Sequence, residues 1–206
     1  MKIFSSSNDG RILLWKYDQR KKLFSKFQEF KIYEIEQMNG KWDLPIEALE
    51  ETIQYKKLIC AASSRIAIYL CDLNNLSPIE KIKVSVNRCI RALKIINDNI
   101  LLVAGNKEIN VLNIKDKLII YSICFNRSCE FNCIFQKSNG NILISEYSEF
   151  EDFSKIKEFQ FNPTSFALSL VSSRDNDLTN YITTIAETFD GHLFLGGYNK
   201  MIKVFK

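Results

Sequence analysis

Cys124, Cys129 and Cys133 lie close together in the chain, and clustered thiols are the first candidates for chemistry. A tetrahedral zinc would need its thiolates to converge at about 2.3 Å from one metal. The local pattern opposes this. Cys129, Phe131, Cys133 and Phe135 alternate as one face of a strand, along which Cys129 and Cys133 stand about 13 Å apart. These cysteines read as buried side chains, as do Cys60 and Cys71 in their apolar runs. The single histidine, His192, follows Asp190-Gly191 and so falls in a turn. No Gly-x-Ser-x-Gly elbow accompanies it. No Gly-x-x-x-x-Gly-Lys loop is present to cradle a phosphate. The expectation is a protein that is not an enzyme and needs neither metal nor cofactor.

Binding residues are better represented. Two polar stretches carry side chains of the kind that anchor interfaces, where Trp and Arg are enriched. One is Asn39-Gly40-Lys41-Trp42-Asp43, with Trp42 between Lys41 and Asp43; the bland alternative is that Trp42 packs on the start of its own repeat. The other is Ser172–Asp177, with Arg174 and Asp175 at its centre. An acidic run, Glu146, Glu149, Glu151 and Asp152, reads as a solvated loop, because calcium would require a stricter alternation of oxygen ligands and a glycine turn. Lys41, Trp42, Asp43, Glu149, Arg174 and Asp175 are therefore the candidate partner-binding residues.

Charge and hydropathy exclude other classes. The net charge of +4 is spread among glutamates, and the one dense basic run is Arg20-Lys21-Lys22, so nucleic acid is not an expected partner. No apolar stretch approaches the roughly 18 residues that span a bilayer. The segment after Met1 turns polar too soon for a secretory signal, which predicts a cytoplasmic or nuclear protein with reduced cysteines. Asn126-Arg127-Ser128 is then a chance match to a glycosylation site.

The elements that must position these residues repeat along the chain. Ile46-Glu47-Ala48-Leu49, Leu58–Ser63 and Ile66–Tyr69 recur as Ile90-Arg91-Ala92-Leu93, Leu101–Gly105 and Ile109–Leu112. A further copy is Ile182–Ile185, Leu193–Gly197 and Ile202–Phe205, and a partial one opens the chain as Ile3–Ser7 and Ile12–Trp15. A weaker copy has Phe131–Ile134 and Ile142–Ser145, with its third element displaced to Phe153–Phe161. The pieces are short, β-branched or aromatic, and punctuated by Asp9-Gly10, Asn39-Gly40, Asn139-Gly140 and Asp190-Gly191, which favour hairpins.

A fourth strand fits between copies at Leu23–Ile35, Ile79–Val84, Leu118–Ile123 and Phe166–Val171; Lys21–Ile35 also admits an amphipathic helix. The middle strands are apolar throughout, so both their faces must be covered. The predicted fold is all-β: a β-propeller of four-stranded antiparallel blades, about five in number. The blades fall at about 1–38, 39–86, 87–124, 125–172 and 173–206 of a single propeller segment.

The unit resembles the WD40 repeat, whose third strand reads Ile-x-Ile/Val-Trp-Asp. Trp15, Tyr69, Leu112 and Phe205 stand at the Trp position, but Lys16, Leu70, Asn113 and Lys206 replace the Asp, and the Gly-His pair before the first strand is missing. Another propeller family is the alternative. The resemblance implies a scaffold that binds other proteins, or a multiprotein complex, through its rim loops. It also implies a last blade completed by a strand from an N-terminal portion, and hence a ring that is incomplete or open here, with a closed five-blade ring as the rival. The competing function is a small-molecule-binding or catalytic propeller using inner-strand polar groups: Glu47, Arg91, Asn132 and Thr183.

Overall fold

The computed structural model describes residues 2–7, 9–31, 33–36, 40–43, 46–52, 57–62, 67–72, 78–84, 89–125, 128–148, 153–176, 181–198 and 200–205. None of these residues is helical, and every sheet is an antiparallel meander. The contacts divide the chain into two compact units, Met1–Ile90 and Arg91–Lys206, treated separately below.

The first unit starts with a three-stranded sheet of β1 (Lys2–Ser6), β2 (Arg11–Asp18) and β3 (Leu23–Lys31). A short hairpin follows, β4 (Tyr33–Glu36) with β5 (Gly40–Asp43). A four-stranded sheet comes next, β6 (Ile46–Thr52), β7 (Lys57–Ala62), β8 (Ala67–Asp72) and β9 (Pro78–Lys83). The period-2 alternation of β2 sends Ile12 and Leu14 to one face, where they meet Ile46, Ala67, Tyr69 and Cys71 in a buried cluster. Trp15 points the other way and donates its indole N–H to Ser5 Oγ at 2.9 Å, so the polar end of the ring is satisfied across the β1–β2 pair.

Two sequence expectations change here. The segment from Leu23 to Ile35 is not one long strand: β3 pairs with β2, whereas β4 pairs with β5. The stretch Gly40–Asp43 is itself a strand and not a loop. Gly40 of the expected Asn39-Gly40 turn is the first residue of β5, and Asn39 lies outside the described residues.

The second unit holds three sheets. The first comprises β10 (Ile90–Asn97, beginning at the junction), β11 (Ile100–Gly105), β12 (Glu108–Asn113) and β13 (Leu118–Cys124). The second comprises β14 (Glu130–Gln136), β15 (Ile142–Ser148), β16 (Phe153–Phe161) and β17 (Leu168–Asn176). The third has β18 (Ile182–Glu187), β19 (Leu193–Gly197) and β20 (Ile202–Phe205).

The middle sheet is packed on both faces. Phe131, Ile142, Ile144 and Phe159 meet Leu102, Ile109 and Val111 of the first sheet. Leu143, with Cys133, Phe135 and Ile156, meets Ile182, Ile185 and Leu195 of the third. Burying each such aliphatic or aromatic side chain stabilises by roughly 1.5–3 kcal/mol. Every residue of β11 is buried, as its unbroken apolar run predicts.

Turn chemistry repeats with the strands. Gly10, Gly140 and Gly191 have φ of 76°, 87° and 84°. Each donates its N–H to the carbonyl three residues back: Ser7 at 3.0 Å, Lys137 at 2.9 Å and Thr188 at 3.0 Å. Each is a tight turn closed by a left-handed glycine. A second turn leads into the last strand of three sheets, β3, β13 and β17. Asp18, Asn113 and Asn162 each accept two main-chain N–H bonds through Oδ1, and the fourth residue on (Lys22, Lys117, Phe166) turns left-handed.

Candidate functional site

The polar groups of the second unit gather at both ends of its sheets and in the clefts between them. Arg174 and Asp175 lie on β17, which runs to Asn176, so the stretch expected as a loop is an outer strand. Its residues pair in register with β16, Arg174 opposite Ile156 and Asp175 opposite Lys155. Both are exposed, and Lys155 Nζ sits 3.8 Å from Asp175 Oδ1. The reason for the difference is the displaced third strand: β16 is nine residues long, and its partner extends to match it. Glu146, placed in the acidic loop by sequence, is a strand residue of β15 opposite Lys155. Glu149 and the rest of that acidic run lie outside the described residues. Lys41, Trp42 and Asp43 belong to the first unit, where only their main chain on β5 is described, with Trp42 opposite Glu34.

A cleft of about 140 Å³ lies between the β14–β17 and β18–β20 sheets. Its floor is apolar (Leu143, Ile156, Leu193, Phe205), and Arg174 stands at its wall. Glu158 lies in the same cleft and is heavily engaged. It accepts from Asn141 Nδ2 at 2.7 Å, Lys137 Nζ at 3.3 Å and Ser172 Oγ at 3.4 Å. The Asn141 bond leads in holding its carboxyl below the ordinary range, with Lys137 adding to it. On the opposite face of the same sheet a second cleft of about 330 Å³ is lined by Phe125, Cys129, Glu146, Lys155, Lys157 and Leu170. The Lys157 ammonium is ion-paired with Glu146 and stands 4.5 Å from the centre of the Phe125 ring.

Two of the three clustered thiols are held in their protonated form. Burial pushes Cys129 and Cys133 up to about 11, so both stay protonated at neutral pH. They do not share a face. A β-bulge at Asn132 reverses the alternation, leaving Cys129 and Phe131 against the first sheet and Cys133 and Phe135 against the third. That corrects the single face read from the sequence. Among the described residues, no three metal-ligating side chains converge. His192 sits in the β18–β19 turn with Nδ1 2.9 Å from Asp190 Oδ2.

Such bulges recur. The register slips at Glu47 in β6, at Asn132 in β14 and at Thr183 in β18, each the second residue of its repeat. Three of the four inner-strand polar residues picked from sequence are therefore bulge residues. Around the fourth, Arg91, the structure adds partners that the sequence reading missed. Arg91 Nη2 is 3.7 Å from Glu130 Oε1, and Asn106 Nδ2 donates to the same oxygen at 3.5 Å. Glu130 Oε2, Asn106 Oδ1 and Asn132 Nδ2 are buried without a hydrogen-bond partner. Only the main-chain bridge between Asn106 and Glu130 reveals this cluster, and nothing in the local sequence marks it.

No protein-family model matches the sequence, and no curated protein matches it. Solved structures do. The β-propeller domain of Myceliophteria thermophila Cps50 (Swd1) aligns with TM-score 0.58 at 12% identity, over 100% of this chain and 79% of that one. The WD40 β-propeller domain of Doa1 aligns with TM-score 0.61 at 14% identity, over 100% and 89%. A putative 6-phosphogluconolactonase from Bacteroides fragilis aligns with TM-score 0.75 at 13% identity, over 100% and 63%. At such identities the likeness shows fold alone. The chain has the β-propeller fold, which it shares with WD40 propeller domains.

Proposed function

We propose that this chain is a divergent WD40-type scaffold that binds other proteins without catalysis, using Arg174 and Asp175 in its second unit and, as a separate set, Lys41, Trp42 and Asp43 in its first, with Glu149 among the binding residues. One observation supports it best. The β14–β17 sheet spends both faces on packing, while the end of its outer strand leaves Arg174 and Asp175 exposed between two clefts. The likeness to Doa1 and Swd1 agrees with a scaffold. The test is quantitative co-purification with the tagged full chain against Trp42→Ala and Asp175→Lys. A defined set of partners should fall by about tenfold, the loss of one interface anchor. Unchanged recovery of every partner would remove both sets.

A second reading draws on the buried unpartnered atoms of Asn106, Glu130 and Asn132 and on the lactonase likeness. These groups could hold a small polar ligand at the inner strands. Hydrolysis of 6-phosphogluconolactone, lost in Glu130→Gln, would establish it in place of the scaffold reading. No turnover is expected.

A further inference from the structure

The one dense basic run of the sequence, Arg20-Lys21-Lys22, forms the turn between β2 and β3. All three side chains are exposed. The fold does not require their charge. Asp18 Oδ1 closes the turn by accepting the main-chain N–H of Arg20 at 2.9 Å and of Lys21 at 3.2 Å, and Lys22 completes it at φ 53°. The turns into β13 and β17 are built in the same way on Asn113 and Asn162. In the first of these Asp116 separates Lys115 from Lys117, and residues 162–166 of the other carry no charge. Among the described residues Arg20, Lys21 and Lys22 have no ion-pair partner, and they stand against the single carboxylate of Asp18.

Large apolar side chains stand among these charges. Leu23 is 64% exposed and Phe27 59%. Leu23 lies opposite Asp18, and Leu14, Lys16 and Asp18 alternate along one face of β2. Leu14 on that face packs with Ile46, Ala67, Tyr69 and Cys71 of the β6–β9 sheet. Phe27 is the extra residue where the register slips between Leu14 and Trp15, and Lys16 Nζ stands 5.5 Å from the centre of its ring. Leu23 and Phe27 therefore belong to the face that already has a neighbouring sheet, and they are exposed in spite of it. Phe24 faces the other way, 5.0 Å from the Tyr17 ring, and takes no part. Lys26 is held by Glu29 at 2.9 Å.

We propose that the β2–β3 hairpin is a contact for a membrane surface that contains anionic lipid. Arg20, Lys21, Lys22 and Lys16 meet the headgroups, while Leu23 and Phe27 enter the apolar boundary beneath them. A bilayer surface offers negative charge and hydrocarbon side by side, which is the pairing this hairpin exposes. Nucleic acid offers the charge alone. Leu23 has no face for a base to stack on, and Lys16 already stands over the Phe27 ring. The contact lies on the membrane without crossing it, and it uses none of the residues of the scaffold reading.

The test is sedimentation of the full chain with vesicles of phosphatidylcholine alone and of phosphatidylcholine with about 30% phosphatidylserine, in about 0.1 M salt. Binding is expected to the anionic vesicles only, and it should weaken as salt rises. Arg20→Gln, Lys21→Gln and Lys22→Gln combined should weaken it about a hundredfold, from roughly fivefold for each cation. Leu23→Ser with Phe27→Ser, at unchanged charge, should weaken it about tenfold. Lys115→Gln, Lys117→Gln and Lys200→Gln combined remove the same charge elsewhere and should leave binding within about threefold of the parent. All the substituted side chains are exposed, and thermal melts matching the parent establish that each variant is folded.

Three results would overturn the inference: no binding to the anionic vesicles, equal binding to phosphatidylcholine alone, or equal losses in the two triple variants. Vesicle binding that survives Leu23→Ser with Phe27→Ser, alongside tight binding of a labelled single-stranded oligonucleotide, would overturn it in favour of a nucleic-acid contact.

Discussion

Gly197→Ala tests whether the β18–β20 sheet is seated as described. A methyl group built on Gly197 would lie 2.1 Å from the Tyr181 carbonyl oxygen, 3.1 Å from its carbon and 3.4 Å from Ile182 Cα. The first distance is more than 1 Å inside an ordinary van der Waals separation of about 3.5 Å. All three obstacles are main chain, so no rotamer change relieves them. The carbonyl is also held beside Gly197, since it accepts the N–H of the next residue, Tyr198, at 3.2 Å. The Tyr181 ring is stacked on Tyr147 with centroids 4.0 Å apart. Relief must therefore come from shifting β18 against β19 near the bulge at Thr183.

Overpacking of this kind costs about 1–3 kcal/mol. For a chain of this length, 2 kcal/mol corresponds to a melting point lower by about 4–8 °C. Gly196→Ala is the internal control. Its methyl would meet only the Thr184 Cγ2, at 2.9 Å, and a side chain can yield where a carbonyl cannot. Its cost should stay below about 1 kcal/mol. Thermal melts of both variants, with hydrogen exchange localising the damage to β18–β20, make the measurement. Gly196→Ala proving the worse of the two would refute the described approach of the two strands. So would a Gly197→Ala variant within about 0.5 kcal/mol of the parent.

Two further outcomes follow from the buried polar groups. The Glu158 carboxyl titrates below its ordinary value of 4.5 in the folded chain, so its stabilisation is present above that pH and is lost as the pH falls through the lower folded value. Glu158→Gln should flatten that part of the acid melting profile, and profiles of identical slope would show that the Asn141 and Lys137 contacts do not matter. For the thiols, Cys124 is exposed while Cys129 and Cys133 are pushed up to about 11 by burial. At neutral pH a thiol reagent read by mass spectrometry should modify Cys124 first, and the other two at least about a hundredfold more slowly. Comparable rates for Cys133 would contradict the packing of the third sheet on the second.

Repetition made most of the fold legible. A single apolar run cannot distinguish a strand from a buried helix, but four similar runs at similar offsets, each fenced by Gly or Asn, can. The displaced strand Phe153–Phe161 appears within the range read from the sequence. What failed was strict alternation. It holds only while the register holds, and one extra residue at Asn132 sends Cys133 to the face opposite Cys129. A warning was in the sequence: a polar residue stands second in the three repeats whose register slips, at Glu47, Asn132 and Thr183.

Binding residues were harder to read for a different physical reason. Arg174 and Asp175 were picked by composition, which identifies a side chain without saying whether it stands on a loop or a strand. The cleft beside Arg174 depends on residues from β15, β16, β19 and β20, far apart in sequence. The edge of β20 is more hidden still. Its capacity to pair resides in main-chain N–H and C=O groups, which every residue except proline carries alike. Sequence can show that Ile202, Lys203, Val204 and Phe205 form a strand; only the count of strands on its two sides shows that one side has no partner among the described residues.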